Sequence, residues 1–133
     1  MQKRTFMNLA LATTLAALLL SGCGPKKVTF DVVLSDFKFE PNAFEVPPEA
    51  EVTLNLTNTA SVIHEFVVMK FGQEVSVPFD DNDEGNIFWE AEVEPGTAGT
   101  FMFVAPAEKG EYQLVCGTPG HFEAGMIGTF TVK

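Results

Sequence analysis

The residues of this chain that could do chemistry lie close together near its C-terminus, in the stretch CGTPGHFEAGM at positions 116–126. The spacing from Cys116 to His121 to Met126 is C-x4-H-x4-M, and the only other histidine of the chain is His64. Two imidazoles, one thiolate and one thioether form the ligand set of a mononuclear blue-copper site. Sulfur suits the reduced ion and imidazole the oxidised ion, so such a site need rearrange little when an electron moves. The sequence therefore predicts a one-electron copper centre.

Each of these residues taken alone also has a structural interpretation. Cys116 and Met126 could fill an apolar core, His121 could be a surface-loop histidine, and His64 could be a hydrogen-bonded core histidine. A cysteine beside a histidine could also serve a nucleophilic enzyme, but Met126 would then have no role. The joint pattern places both histidines and the cysteine in one site. It therefore favours a metal-binding site, and we do not expect the protein to be an enzyme.

Strands must position these residues, because hydrophobic side chains alternate with polar ones along most of the chain. Val28 to Leu34 and Val52 to Leu56 alternate as half-buried strands do. Val62 to Met69 is apolar on both faces apart from His64 and Glu65, which predicts a central strand. Further strands are predicted over 100–104, 111–116 and 128–132, between turns rich in glycine and proline.

The spacing of these strands predicts an all-β fold, a sandwich or barrel of about seven to eight strands. Cys116 shares a strand face with Tyr112 and Leu114, so its thiol should point inward. His64 shares a face with Phe66 and should point into the same core from another strand.

The N-terminus has the features of a targeting segment. Lys3 and Arg4 precede an apolar run over 6–20 that is short for a membrane-spanning helix. The run ends in LSGC at 20–23, which resembles a bacterial lipobox. We therefore expect a signal peptide at 1–22, an acylated Cys23 with a short tether to residue 27, and a single domain over 28–133. An ordinary signal peptide that ends near a cysteine is the alternative.

Lipidation of Cys23 would leave Cys116 without a disulfide partner, which agrees with a metal ligand. It would also place the protein outside the cytoplasm, anchored to the cell membrane or outer membrane and facing the periplasm or cell exterior.

Composition and charge limit the partners. The chain has 133 residues, with 8 basic and 18 acidic side chains and a net charge of −10, so nucleic acid is not expected. No lysine or arginine lies between Lys70 and Lys109. The acidic part, residues 70–98, is expected to be an irregular insertion that either solvates the protein or steers a cationic partner. The stretch DDNDEG at 80–85 lacks the ligand spacing of a calcium loop.

The domain over 28–133 resembles the cupredoxins, the family of small blue-copper proteins, and its ligand loop has the spacing of rusticyanin and auracyanin. The resemblance implies a Greek-key β-sandwich and one type 1 copper cycling between Cu(I) and Cu(II). It also implies that His64, Cys116 and His121 are equatorial ligands and that Met126 is the axial ligand.

Two departures from the family pattern affect the site, and the loop also excludes one variant of the copper centre. Glu65 stands where Asn or Ser commonly ties the two ligand loops together, so that tie is not expected from its side chain. Ile63 replaces a glycine found in azurins, which argues against a carbonyl as a further ligand. A binuclear copper site, as in oxidase subunits, would need a second cysteine in the loop, and 117–120 contain none.

The resemblance implies a monomeric carrier of single electrons with redox partners such as a c-type cytochrome or a membrane oxidoreductase. Electrons would pass through the edge of His121, surrounded by an apolar patch of Pro119, Phe122 and Ile127. The alternative is a copper chaperone or storage protein of the cell envelope. That alternative is less favoured, because exposed Met- and His-rich ligands are few.

Overall fold

The computed structural model describes residues 24–133, which form two packed β-sheets with nine strands. The segment 1–23, with the expected signal peptide and Cys23, lies outside the described residues. The strands are β1 (Lys27–Ser35), β2 (Lys38–Glu40), β3 (Ala43–Val46), β4 (Glu51–Asn58), β5 (His64–Met69), β6 (Ile87–Val93), β7 (Ala98–Val104), β8 (Gly110–Val115) and β9 (Ile127–Val132).

One sheet has four strands in the order β2-β1-β4-β7, and the other has five in the order β3-β9-β8-β5-β6. Both sheets are mixed. β1 runs parallel to β4 with Lys27 opposite Glu51, and β3 runs parallel to β9. The remaining pairs are antiparallel. The predicted all-β sandwich is therefore confirmed, with nine strands where seven to eight were expected.

The core lies between the sheets and is built from the inward positions of the alternating strands. On β4, for example, Val52, Leu54 and Leu56 are fully buried while Thr57 is exposed. Buried aromatic rings join the sheets: Phe66 of β5 packs edge-on against Phe39 of β2, with ring centroids 5.4 Å apart. Cys116 and Met126 belong to this same buried cluster, so the predicted ligands have a rigid, water-free support.

The strands differ from the sequence prediction in three respects. The strand expected from Val62 begins at His64, and Val62 is 42% exposed. The short strands β2 and β3 were not predicted. The segment 70–98 is not irregular throughout, because β6 and the start of β7 lie within it.

The irregular part is limited to the connection between β5 and β6, which ends in a 3-10 turn over Glu84–Asn86. Within residues 24–133, no helix is long and apolar enough to cross a membrane.

Candidate metal centre

The four predicted ligands come together at one end of the sandwich. His64 is the first residue of β5, and Cys116 directly follows β8. His121 and Met126 lie in the loop that leads from β8 to β9. His64, Cys116 and Met126 are fully buried, and His121 is 8% exposed. The alternative interpretation of His121 as a surface-loop histidine is therefore wrong, because its side chain is buried.

Three of the ligand atoms form a compact triangle. The Nδ1 atoms of His64 and His121 are 3.1 Å apart. Cys116 Sγ lies 3.7 Å from Nδ1 of His64 and 3.5 Å from Nδ1 of His121. The centre of such a triangle is about 2 Å from each corner, which is close to the length of a metal–imidazole bond. The donor set therefore fits a single metal ion, and these three residues are the only group of at least three His, Cys, Asp or Glu side chains in the described part that could hold one.

The backbone of Met126 is tied to two residues of this triangle. Its amide donates to the carbonyl of His121 at 2.9 Å, and its carbonyl accepts from the amide of Cys116 at 3.1 Å. These bonds close the eleven-residue loop over 116–126, so the positions of Cys116, His121 and Met126 depend on one another.

Two contacts link this loop to the segment that carries His64. The Thr118 hydroxyl donates to the Ile63 carbonyl at 3.0 Å, and the Glu65 amide donates to Cys116 Sγ at 3.4 Å. The loss of Asn or Ser at position 65 is therefore compensated, since the backbone of Glu65 and the side chain of Thr118 make the connection. The Ile63 carbonyl is itself engaged by Thr118.

Burial governs the protonation of the ligands. It lowers the pKa of His64, an effect reinforced by His121 and opposed by Asp36. It raises the pKa of the Cys116 thiol, against which hydrogen bonds from Thr118 and the Glu65 backbone act. A neutral imidazole has a free lone pair for a metal, whereas the thiol must lose its proton, so metal binding should release a proton.

Carboxylates surround the outer side of the ligand loop. Glu65 stands directly opposite Glu92 across β5 and β6. Burial, Glu92 and Glu90 raise its pKa. A polar cavity of about 300 Å³ opens here, lined by Glu65, Phe79, Asp80, Asp81, Glu84, Ile87, Glu90, Gly117 and Pro119. The acidic segment therefore lies beside the candidate site, which its place in the sequence did not reveal.

The aromatic neighbours of the site differ from those expected. Phe122 is half-buried and packs against a second cluster that includes Val67 and Val115. Phe37, from the turn between β1 and β2, instead lies edge-on to His121 with ring centroids 5.4 Å apart. No sequence signal pointed to Phe37, because it is 84 positions from His121 and belongs to no chemical motif. Ile127 is 48% exposed and Pro119 is exposed, as expected.

A family model described as the cupredoxin-like domain matches residues 7–132. Auracyanin-B of Chloroflexus aurantiacus is 28% identical over 110 residues, which cover 71% of this chain and 46% of auracyanin-B. Cytochrome c oxidase subunit 2 of Thermus thermophilus is 33% identical over 113 residues, covering 83% of this chain and 69% of that subunit. The chain thus spans about half the length of the first relative.

Among solved structures, dithionite-reduced auracyanin from Roseiflexus castenholzii superposes on this fold with a TM-score of 0.68. The two are 27% identical, and the match covers 83% of this chain and 99% of that one. The sequence comparison and the fold comparison therefore both find auracyanins.

Proposed function

The chain belongs to the family of cupredoxin-like domains, and we propose that it is a type 1 (blue) copper protein that carries single electrons between redox partners. The observation that carries this proposal is the triangle of Nδ1, Nδ1 and Sγ atoms, with edges of 3.1–3.7 Å, in a buried pocket. Electron carriers need no substrate pocket. They need a metal whose ligands move little when its oxidation state changes.

His64, Cys116 and His121 would hold the metal, and Met126 would be its fourth and weakest ligand. Copper, when bound, supplies a one-electron Cu(I)/Cu(II) couple. The protein keeps the ligands fixed between the two states, because three of them share one hydrogen-bonded loop and the fourth begins a central strand. Burial of these side chains keeps water from the ligand atoms.

The amide of Glu65 has a further role in this proposal. Its hydrogen bond to Cys116 Sγ withdraws electron density from the sulfur. Such bonds favour the reduced metal and raise the reduction potential. Because the donor is backbone rather than side chain, substitution at position 65 leaves this bond available.

Two features separate this proposal from the alternatives. A binuclear site, as in oxidase subunits, would need a second thiolate, and residues 117–120 supply none. A copper chaperone or storage protein would need several accessible sulfur or imidazole ligands beyond the site, and a single exposed methionine does not supply them. Among the described residues, the other methionines are Met69, which is buried, and Met102, which is 68% exposed. The carrier is therefore preferred over copper handling.

For the cellular setting, we propose an exported monomer anchored through a lipid on Cys23, after removal of a signal peptide over 1–22. Its location would be the outer face of a membrane, in the periplasm or at the cell exterior. The partners would be redox proteins such as a c-type cytochrome or a membrane oxidoreductase. The carboxylates beside the ligand loop support a cationic partner.

The visible spectrum of the copper-loaded, oxidised protein tests this function. An intense thiolate-to-copper band that bleaches reversibly on reduction is expected, and Cys116→Ser should abolish it. The zinc-loaded protein is the control, since Zn²⁺ has no redox chemistry. A protein that binds Cu(I) but never gives the band would contradict the carrier and favour copper handling. A band that persists in Cys116→Ser would contradict the ligand assignment.

A further inference from the structure

The side chain of His121 is more protected than its position in the chain explains. It lies in a loop whose neighbouring residues are exposed, including Gly120, Glu123 and Ala124. Its own side chain is nevertheless only 8% exposed. Its imidazole contacts two other predicted ligands, Cys116 and His64, and a further contact comes from a distant turn of the fold.

This further contact is made by Phe37, the second residue of a two-residue turn that joins β1 to β2. Ser35 pairs with Lys38 across this turn. The Phe37 ring meets the His121 ring edge-on, at an interplanar angle of 88° and a centroid distance of 5.4 Å. Phe37 is 49% exposed, so it is in contact with both the imidazole and the solvent.

The backbone of Phe37 is unusual for this residue type. Its φ is 61°, in the left-handed region. Turn positions of this kind favour glycine or asparagine, and a bulky residue there is a genuine outlier. Strained residues persist where the surrounding structure determines them, and they concentrate at functional sites.

The strain at Phe37 is not explained by packing of the main core. A half-exposed ring outside the buried cluster contributes little to the hydrophobic stability of the sandwich. Its contact with His121 is the feature that distinguishes it. The left-handed backbone of Phe37 therefore places its ring against His121, a predicted ligand of the metal.

We propose that Phe37 is a positioning residue of the metal centre, which shields the His121 imidazole from water and holds its ring in the ligand geometry. This inference rests on the proposed function, because His121 is a ligand only if the site binds a metal. The contact itself, however, belongs to the metal-free fold and can be tested without copper.

The first test measures the access of a reagent to His121 in the metal-free protein. Diethyl pyrocarbonate modifies neutral imidazoles, and the modified histidine is identified by peptide mass analysis. Phe37→Gly should let His121 react about tenfold faster, the size expected for loss of one edge-on ring contact. Phe37→Tyr keeps the ring and should react at the wild-type rate. His64, which is fully buried, should stay slow in all variants.

Stability separates this role from a structural one. Glycine relieves the left-handed strain, so Phe37→Gly should unfold at no lower denaturant concentration than the wild type while exposing His121. Glu49 has a φ of 57° in the turn before β4, at the opposite end of the sandwich from Phe37. Glu49→Gly is the matched control and should leave the reactivity of His121 unchanged.

In the copper-loaded protein, Phe37→Gly should release the metal to a chelator about tenfold faster and bring water closer to Cu(II), as seen by proton relaxation. Wild-type reactivity of His121 in Phe37→Gly, or equal opening in Phe37→Tyr, would overturn the role of Phe37. Failure of the wild type to bind copper would instead contradict the proposed function, while the reactivity test would still decide the shielding.

Discussion

Among single residues, Met126 separates the binding of the metal from the tuning of its potential. A weak axial ligand adds little to affinity but changes the relative energy of the two oxidation states. We expect Met126→Leu to retain copper and to raise the reduction potential by on the order of 60 mV, or about 1.4 kcal/mol for one electron. The rise reflects loss of the thioether lone pair that stabilises Cu(II).

Met69 provides the control for this substitution. It is also a fully buried methionine, but it packs in the second cluster, beside Val67 and Val115. Met69→Leu should leave the potential of the redox titration unchanged. Loss of copper from Met126→Leu would show that the axial assignment is wrong.

The metal ligands could be proposed from the sequence because their residue types are rare. Two histidines and one unpaired cysteine leave few combinations, and the loop spacing brings three of the four ligands together. Phe37 could not be found in the same way. Its importance comes from a backbone angle and from a contact across 84 positions, neither of which leaves a mark on residue type or periodicity.

At the scale of elements, the junction of β3 with β9 fixes the end of the ligand loop. The Thr129 amide donates to the carbonyl of Asn42 at 2.9 Å, just after Met126. A side chain at Gly128 would overlap the same Asn42 carbonyl and the Leu114 side chain. Only glycine therefore allows the two strands to approach so closely at this point.

Gly128→Ala should lower the free energy of unfolding by about 1–3 kcal/mol, as overpacking usually does, and should weaken copper retention through the displaced loop. Denaturant titration and a chelator assay measure the two effects. Gly85→Ala is the control, because an added methyl group there meets no atom within 4 Å. Equal stability of the two variants would show that the β3–β9 junction tolerates expansion.

Strand prediction succeeded where one face of a strand is buried and the other is exposed to solvent. β1 and β4 show this alternation clearly. It failed for β2 and β3, which have three and four residues and lie among prolines, too short for a period to be recognised. β6 does alternate, but its outward Glu90 and Glu92 belong to a charged run that suggested a solvated loop.

At the scale of the whole molecule, charge is unevenly distributed between the two ends. Glu65, Glu90 and Glu92 lie near the ligand loop. Of the six lysines in the described residues, four lie toward the opposite end, at the start of β1, before β8 and after β9: Lys26, Lys27, Lys109 and Lys133. A cationic partner should therefore be guided to the end that holds the metal.

The rate of electron transfer to a cationic c-type cytochrome tests this guidance. We expect the second-order rate constant to fall about tenfold between low and high salt, because screening shortens the range of the field. The double variant Glu90→Gln, Glu92→Gln should lower the low-salt rate and flatten the salt dependence. Glu49→Gln, at the opposite end, is the control and should change neither. A rate independent of salt would exclude electrostatic guidance.

β1 joins the expected tether to the turn that covers His121. Its nine residues begin at Lys27 and end at Ser35, a span of about 30 Å at the usual rise of a strand. With a lipid on Cys23, the length of this strand would set the distance between the lipid headgroups and the end of the sandwich that holds the predicted metal site. The protein would then exchange electrons only with centres exposed at that height, so the length of one strand would select its partners.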